Sequence, residues 1–460
     1  MANAQNNNRD IVKNTCSNQN IRVEENGNNG QITNAIRLFR TLVFLGLMTT
    51  ISCSSDKAAN SGSNLPDGSL ESTDKLTSPK TSVSINRLPQ IENLDVIENG
   101  NEHNLSFDIV DDNTSVDIAV YGRKSTNEDY VNISDLFNGD IGGPITVGTA
   151  KTIISSTLEE YNELQLRVTD LTAFKMDVVK AVSKDRIMHD IQQMNGIRHY
   201  TTPLLINKTR TYIMEEFEKY RLEGSMHSFS WNTVAAANVI GHHKGEDNHN
   251  GGYIICAHFD SVRDTPGADD NASGTSGVLE AMRILSQYEF ESSIHFVGFD
   301  LEEQGLIGSQ RYVNEIAKNQ DILGVINFEM IGYPCRSEIC ENLQLPDTSI
   351  YNIALPAFDA IRTKFDTMGN KYVPELKITS VIADDDPNFR RSDHAPFWSA
   401  NIPALFITDG ANFRNPHYHQ NSDTPETLDY DFAKNIVATA VLTIMDLAKV
   451  NRTTYVSINL

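Results

Sequence analysis

From about residue 176 onward the chain alternates short apolar runs with segments of helical periodicity, and this alternation restricts its fold more than any other feature. GGYIICA (251–257), SIHFVGFD (293–300), LGVINFE (323–329) and PALFIT (403–408) are compact and β-rich. KDRIMHDIQQM, NKTRTYIMEEFEKYRLEG, SGTSGVLEAMRILSQY and DFAKNIVATAVLTIMDLAKV repeat apolar side chains three and four apart, as amphipathic helices do. Strand and helix in alternation predict an α/β domain with a mostly parallel or mixed central sheet and helices on both faces. In such sheets ligands gather beyond the carboxyl ends of the strands.

The metal-capable side chains fall at those ends. His258 and Asp260 follow YIICA, Glu302 and Glu303 follow IHFVGFD, and Glu329 closes GVINFE. Asp269 lies in GADDNASG, just ahead of the helical segment carrying Val278, Leu279, Met282 and Leu285, and NPHYHQNSDT supplies His417 and His419. Imidazoles and carboxylates converging on one sheet edge are what a pair of zinc ions needs. Singly, each residue has a plainer reading. His258 with Asp260 two positions on is either a ligand with its orienting carboxylate or ordinary loop chemistry. Glu302–Glu303 alone would be a solvated acidic surface, Asp270 a neighbour of the bridge or a helix cap, and His417, His242 and His243 loop or surface residues. The run at 384–387, DDDP, lacks the spaced ligands of a calcium loop and reads as a turn.

Upstream, residues 83–172 contain NLSFDIV, SVDIAVYG, ITVGTAKTII and LQLRVTD between Asn, Asp and Gly, the pattern of a small antiparallel, sandwich-like β domain. Residues 54–82 have the composition of a tether that cannot bury a core. Residues 1–53 read as a leader: Arg37 and Arg40 precede LVFLGLMTTIS and then Cys53, a charged region, an apolar region and a processing site. The apolar stretch falls short of the roughly 20 residues that span a bilayer, and Ser52–Cys53 resembles a bacterial lipoprotein signal. Export is therefore expected, with the chain secreted or held at the cell envelope by a lipid on Cys53. With Cys16 and Cys53 in the leader, Cys256, Cys335 and Cys340 remain; PCRSEIC permits a loop disulfide in an oxidising compartment, and Cys256 sits in an apolar strand as a core residue. The 38 basic and 61 acidic residues give a formal charge of −23, and without a basic stripe this argues against a nucleic-acid partner.

Six blocks, AHFDSV (257–262), GADDNASGTSGVLE (267–280), DLEEQGLIGSQRYV (300–313), NFEMIG (327–332), RSDHAPF (391–397) and YHQNSDT (418–424), occur in an order that resembles the co-catalytic zinc aminopeptidases of metallopeptidase family 28, over approximately residues 180–450. The resemblance implies a catalytic domain over 176–455 holding two zinc ions. It assigns His258 and Glu329 to one ion, Glu303 and His419 to the other, and Asp269 to the bridge between them. It makes Glu302 the general base, Asp260 the carboxylate that orients His258, and Tyr418 a hydroxyl presented to the reacting carbonyl. Asp393 and His394 stay outside the metal set. The family usually has aspartate where Glu329 stands, and glutamate remains a competent zinc ligand. The function implied is an exported aminopeptidase that removes N-terminal residues from peptides with a free N-terminus, using a water that bridges the ions and Glu302 to move its proton. The same fold also hosts a glutaminyl cyclase with one zinc, and non-catalytic surface-binding proteins that have lost the site; zinc stoichiometry and chelator-sensitive hydrolysis separate the three.

Overall fold

A computed structural model of the chain describes residues 87–460, apart from 100–101, 157, 159, 247–250, 337–344 and 346. The leader expected over 1–53, with Arg37, Arg40, Cys16 and Cys53, and the tether expected over 54–82 lie outside the described residues. Eight strands come first: β1 (Gln90–Asn99), β2 (Glu102–Val110), β3 (Ser115–Arg123), β4 (Val131–Asn132), β5 (Asn138–Gly139), β6 (Gly142–Thr146), β7 (Gly148–Ser155) and β8 (Glu163–Thr169). They form two antiparallel sheets, one ordered β1-β2-β7-β5 and one in which β3 pairs β8, β4 and β6. Alternation dictates the packing, because successive side chains of a strand point to opposite faces. Leu105, Phe107 and Ile109 on β2, Val116, Ile118 and Val120 on β3, and Leu164, Leu166 and Val168 on β8 are buried together in one core between the sheets.

The second sheet system has eight strands: β9 (Glu223–Trp231), β10 (Val234–His243), β11 (Gly251–His258), β12 (Ile294–Phe299), β13 (Asp321–Glu329), β14 (Ile350–Ala354), β15 (Ile378–Ile382) and β16 (Ala404–Thr408), ordered β15-β14-β16-β13-β11-β12-β10-β9. The central four, β16, β13, β11 and β12, are mutually parallel, and antiparallel pairings at β10 and β14 make the sheet mixed. The parallel strands are buried along most of their length, which is why they read as continuous apolar runs. Helices cover both faces. On β10 the backbone of Gly241 abuts Phe217 of the helix Pro203–Lys219, whereas the Asn238 side chain, of opposite parity, donates to the Gly308 carbonyl in the helix Ile307–Glu315. The helix Gly274–Leu285 is buried at every position, and Tyr430–Leu447 starts where the Asp429 side chain accepts from the Phe432 N–H, an N-cap that satisfies an otherwise orphaned donor.

Among the described residues no helix is long and apolar enough to cross a membrane. Cys335 is disulfide-bonded, and Cys340 lies outside the described residues. Cys256 is free and buried, its thiol 3.4 Å from Asn327 Oδ1.

The end of the chain departs from the domain boundaries read in the sequence. A ninth sandwich strand, β17 (Thr453–Asn459), returns from the α/β domain and pairs antiparallel with β8 along its whole length, and Ile458 enters the sandwich core. A boundary at 455 therefore cuts through a strand, and the α/β domain is entered and left through the sandwich. Both crossings meet at one buried ion pair. Asp170 precedes the helix Leu171–Ala181; Arg452, just ahead of β17, donates Nε to Asp170 Oδ1 at 3.0 Å and Nη2 to Asp170 Oδ2 and to the Arg87 carbonyl, with its guanidinium 4.3 Å from the Phe174 ring. Burial pushes the Asp170 carboxyl up while Arg452 opposes the shift. Removing the cation would leave a buried acid uncompensated. Arg452→Ala is therefore expected to lower unfolding free energy by about 3 kcal/mol, measured by urea titration of the full chain.

Candidate metal centre

The parallel register brings the site together. His258, the last residue of β11, is level with Phe299 at the end of β12. Cys256 pairs with Asn327, so Glu329, two residues further along β13, ends at the same height. The chain after β11 is then held by a buried arginine. Arg198 donates Nε to the Phe259 carbonyl at 2.7 Å, Nη1 to the Pro266 carbonyl at 2.5 Å and Nη2 to the Gly267 carbonyl at 2.6 Å. Burial pulls its pKa down to about 10, which leaves it a cation at neutral pH. Gly267 has φ 63°, and a Cβ there would stand 2.3 Å from the Asp270 carbonyl oxygen, so glycine alone permits this turn.

At the turn Asp270, and not the Asp269 expected to bridge, lies between the two imidazoles. Asp269 faces away from the imidazoles: Oδ1 accepts from the Gly332 N–H at 2.9 Å, Oδ2 accepts from Asn415 Nδ2 at 2.7 Å, and its carboxyl group also meets that of Asp409. Asp270 instead stands between the two histidines, with Oδ1 3.4 Å from His258 Nε2 and Oδ2 3.1 Å from His419 Nε2. The cause lies in the backbone. Both carboxylate oxygens of Asp423 accept main-chain donors here, from Asp269 at 2.9 Å and Asp270 at 3.1 Å, which fixes the direction of the two side chains. Asp270, read from the sequence as a neighbour or cap, is thus directed at both imidazoles.

The remaining residues form two sets around Asp270. Glu329 Oε2 is 3.4 Å and Glu302 Oε2 3.9 Å from His258 Nε2; Glu303 Oε2 is 3.5 Å from His419 Nε2. Within His258, Glu302 and Glu329, and again within Asp270, Glu303 and His419, ligand atoms lie within 4.8 Å of one another. Asp260 ties the sets together, its Oδ1 3.3 Å from His258 Nδ1 while Oδ1 and Oδ2 accept the Glu302 and Glu303 N–H groups at 3.1 and 3.2 Å. Ser392 donates to Glu329 Oε2 at 2.6 Å and accepts from Asn327 Nδ2 at 2.8 Å. The Tyr418 ring stacks on the His419 ring at 3.7 Å between centroids. His417 turns to Ser422, 2.9 Å away, and His394 is a core residue, with Nε2 2.7 Å from the Phe389 carbonyl and its ring stacked on Phe406. Asp393 is buried near the first set, its carboxyl pushed up to about 7 chiefly by burial. The turn at 384–387 is closed by Asp386, which accepts from the Asn388 N–H.

The electrostatics favour cations. Burial works against a charged His258, yet Glu302 and Glu329 raise its pKa well above the usual imidazole value. Burial pushes Glu302 and Glu303 well above the carboxylate range, with neighbouring carboxylates adding to the shift and the His258 charge opposing it. Asp270 goes the other way: burial alone would raise it, but the two imidazoles hold it below that range. His258 Nε2 and Glu303 Oε1 are buried without a hydrogen-bond partner. Orphaned buried donor atoms among crowded carboxylates, with imidazole nitrogen on each side, fit a pair of divalent ions and match the ligand types of zinc. Arg198, Ser392 and the backbone-holding role of Asp423 escaped the sequence reading. Of these, Ser392 stood in the RSDHAPF block and Asp423 in the YHQNSDT block, both without assigned roles.

Residues 238–444 match the model of Peptidase family M28. The Escherichia coli protein YfbL is 30% identical over 206 residues, 40% of this chain and 63% of that protein. Leucine aminopeptidase 2 of Trichophyton rubrum is 32% identical over 181 residues, 38% of this chain and 34% of that protein. The chain thus spans less than two thirds of the length of either relative. The LapA aminopeptidase of Legionella pneumophila has a similar structure, with a TM-score of 0.52 at 23% identity, covering 60% of this chain and 74% of that one; this likeness establishes a shared fold. Every residue of the two ligand sets falls inside the segment that matches Peptidase family M28.

Proposed function

We propose that the chain is a di-zinc aminopeptidase that hydrolyses N-terminal residues from peptides, with His258, Glu329 and Asp270 holding one ion and Asp270, Glu303 and His419 the other. The observation that carries this reading is the Asp270 carboxylate directed at both imidazoles. Bound there, two divalent ions supply Lewis-acid activation of water and polarisation of the scissile carbonyl. The protein supplies the rest. Glu302, held through its N–H by Asp260, accepts the proton of the attacking water and delivers it to the leaving amine. Its raised pKa, caused first by burial, suits a group that must both take and return a proton. Burial and the Asp270 charge push the Tyr418 hydroxyl up, so it stays protonated and donates to the developing oxyanion. The surplus of carboxylates attracts a substrate α-ammonium, which favours removal of terminal residues over internal cleavage. Export is part of the proposal; the disulfide at Cys335 supports an oxidising compartment.

Glu302→Gln is expected to lower kcat by about 10³-fold while retaining two zinc ions per chain; a wild-type stoichiometry of one would favour the cyclase chemistry of this fold. Hydrolysis should stop with chelator and should fail on N-blocked substrates; equal rates on blocked and free substrates would refute the exopeptidase assignment. A second pair of variants tests the bridge. Asp270→Asn should lose at least one zinc, whereas Asp269→Asn should keep both and cost about 1–3 kcal/mol of stability through its buried hydrogen bonds. The reverse pattern in metal content would return the bridge to Asp269.

A further inference from the structure

We propose that Arg391 is a positioning residue for the reaction, turning the hydroxyl hydrogen of Tyr418 toward the reacting carbonyl; the inference rests on the peptidase reading above. Arg391 follows the short turn Pro387–Arg390 and directly precedes Ser392, the donor to Glu329. Its Nη2 donates to the Tyr418 hydroxyl oxygen at 3.0 Å, and its Nη1 donates to Asn412 Oδ1 at 2.8 Å. A guanidinium has donors and no acceptor. The bond to Tyr418 therefore uses the phenol oxygen as acceptor and leaves the phenolic hydrogen to point elsewhere. Among the described residues Arg391 is the sole hydrogen-bond partner of that hydroxyl.

Three features make this more than a surface contact. First, the Tyr418 ring is stacked on His419, with an interplanar angle of 17°, so the phenol is fixed beside the second ligand set. Second, Asn412 holds the other arm of the guanidinium, and a planar fork held at both tips has a fixed direction. Third, among the described residues Arg391 makes no ion pair, so its charge is not neutralised by a neighbouring carboxylate. A hydrogen bond donated by a cation to the phenol oxygen polarises the O–H and strengthens it as a donor to negative charge. Aspartates and glutamates surround the site, yet this hydroxyl receives a cation's donor. Lysine could not reproduce the geometry, since it presents a point charge on a flexible stem.

The test is a double-mutant cycle in the full chain, comparing wild type, Arg391→Ala, Tyr418→Phe and the double variant. Each is assayed for kcat and KM on an aminoacyl-amide and on a dipeptide, and for bound zinc by atomic absorption. Arg391→Ala is expected to lower kcat about tenfold on both substrates with KM and zinc content unchanged, and to have no further effect once Tyr418 is phenylalanine. Arg391→Lys should recover only part of the loss. Losses that multiply in the double variant would overturn the inference, because Arg391 would then act independently of the phenol. So would a rise in KM confined to the dipeptide with kcat intact, which would make the guanidinium an anchor for the substrate carboxylate. A wild-type chain without chelator-sensitive hydrolysis defeats the underlying peptidase reading; an active wild type with a multiplicative cycle defeats this inference alone.

Discussion

Asp260, Asp270, Glu302, Glu303 and Glu329 crowd two imidazoles at one edge of a parallel sheet, and the α/β domain is arranged around keeping those charges together away from water. Burial, and with it the like charges this close, raises proton affinity, which is the direction seen at Glu302 and Glu303. Left without cations, such a cluster opposes folding. Its persistence depends on groups that hold each carboxylate from behind, so that divalent ions meet ligands already aimed. Asp260 shows the economy of the arrangement: one side chain lies against His258 and accepts the N–H groups of both Glu302 and Glu303.

The supports come from distant parts of the chain and converge on main-chain atoms. Asp423 fixes the backbone of Asp269 and Asp270 from 154 and 153 residues away, and Arg198 fixes the carbonyls of the preceding loop from 61 to 69 residues away. Backbone holds of this kind decide which side chain faces the site and leave the ligand atoms free. Their own charges are moderated by burial, which pushes the Asp423 carboxyl up to about 7. Asp409, beside Asp269, is pushed well above the carboxylate range by burial and then by its neighbour, with the Arg414 charge opposing.

How much of this was legible in the sequence follows from the range of the forces involved. Buried parallel strands announce themselves as apolar runs, and the rule that chemistry collects beyond their carboxyl ends brought His258, Glu302, Glu303 and Glu329 into one list. The choice between Asp269 and Asp270 was not legible, because adjacent aspartates in a turn differ only in direction and that direction is set by Asp423. Strand β17 escaped for a related reason. TTYVSIN carries two apolar residues on its inner face, Val456 and Ile458, with Tyr455 turned outward and exposed, and its pairing partner β8 lies at the other end of the domain. Arg391 and Ser392 were visible in RSDHAPF as a block without roles; contacts with Tyr418 and Glu329 supply them.

Glu329 brings the two layers together. A glutamate has one more rotatable bond than an aspartate, and immobilising a glutamate side chain costs up to about 1.5–2 kcal/mol of rotamer entropy. A hydrogen bond to a charged group contributes about 1.5–3 kcal/mol, enough to offset that loss. Ser392 provides such a bond to Oε2, Asn327 holds Ser392, and Asn327 is itself placed by its pairing with Cys256. The longer side chain is therefore aimed by the same strand register that brings Glu329 level with His258. Substituting Ser392 would free an arm whose length the register alone does not constrain, whereas an aspartate there would need no such support.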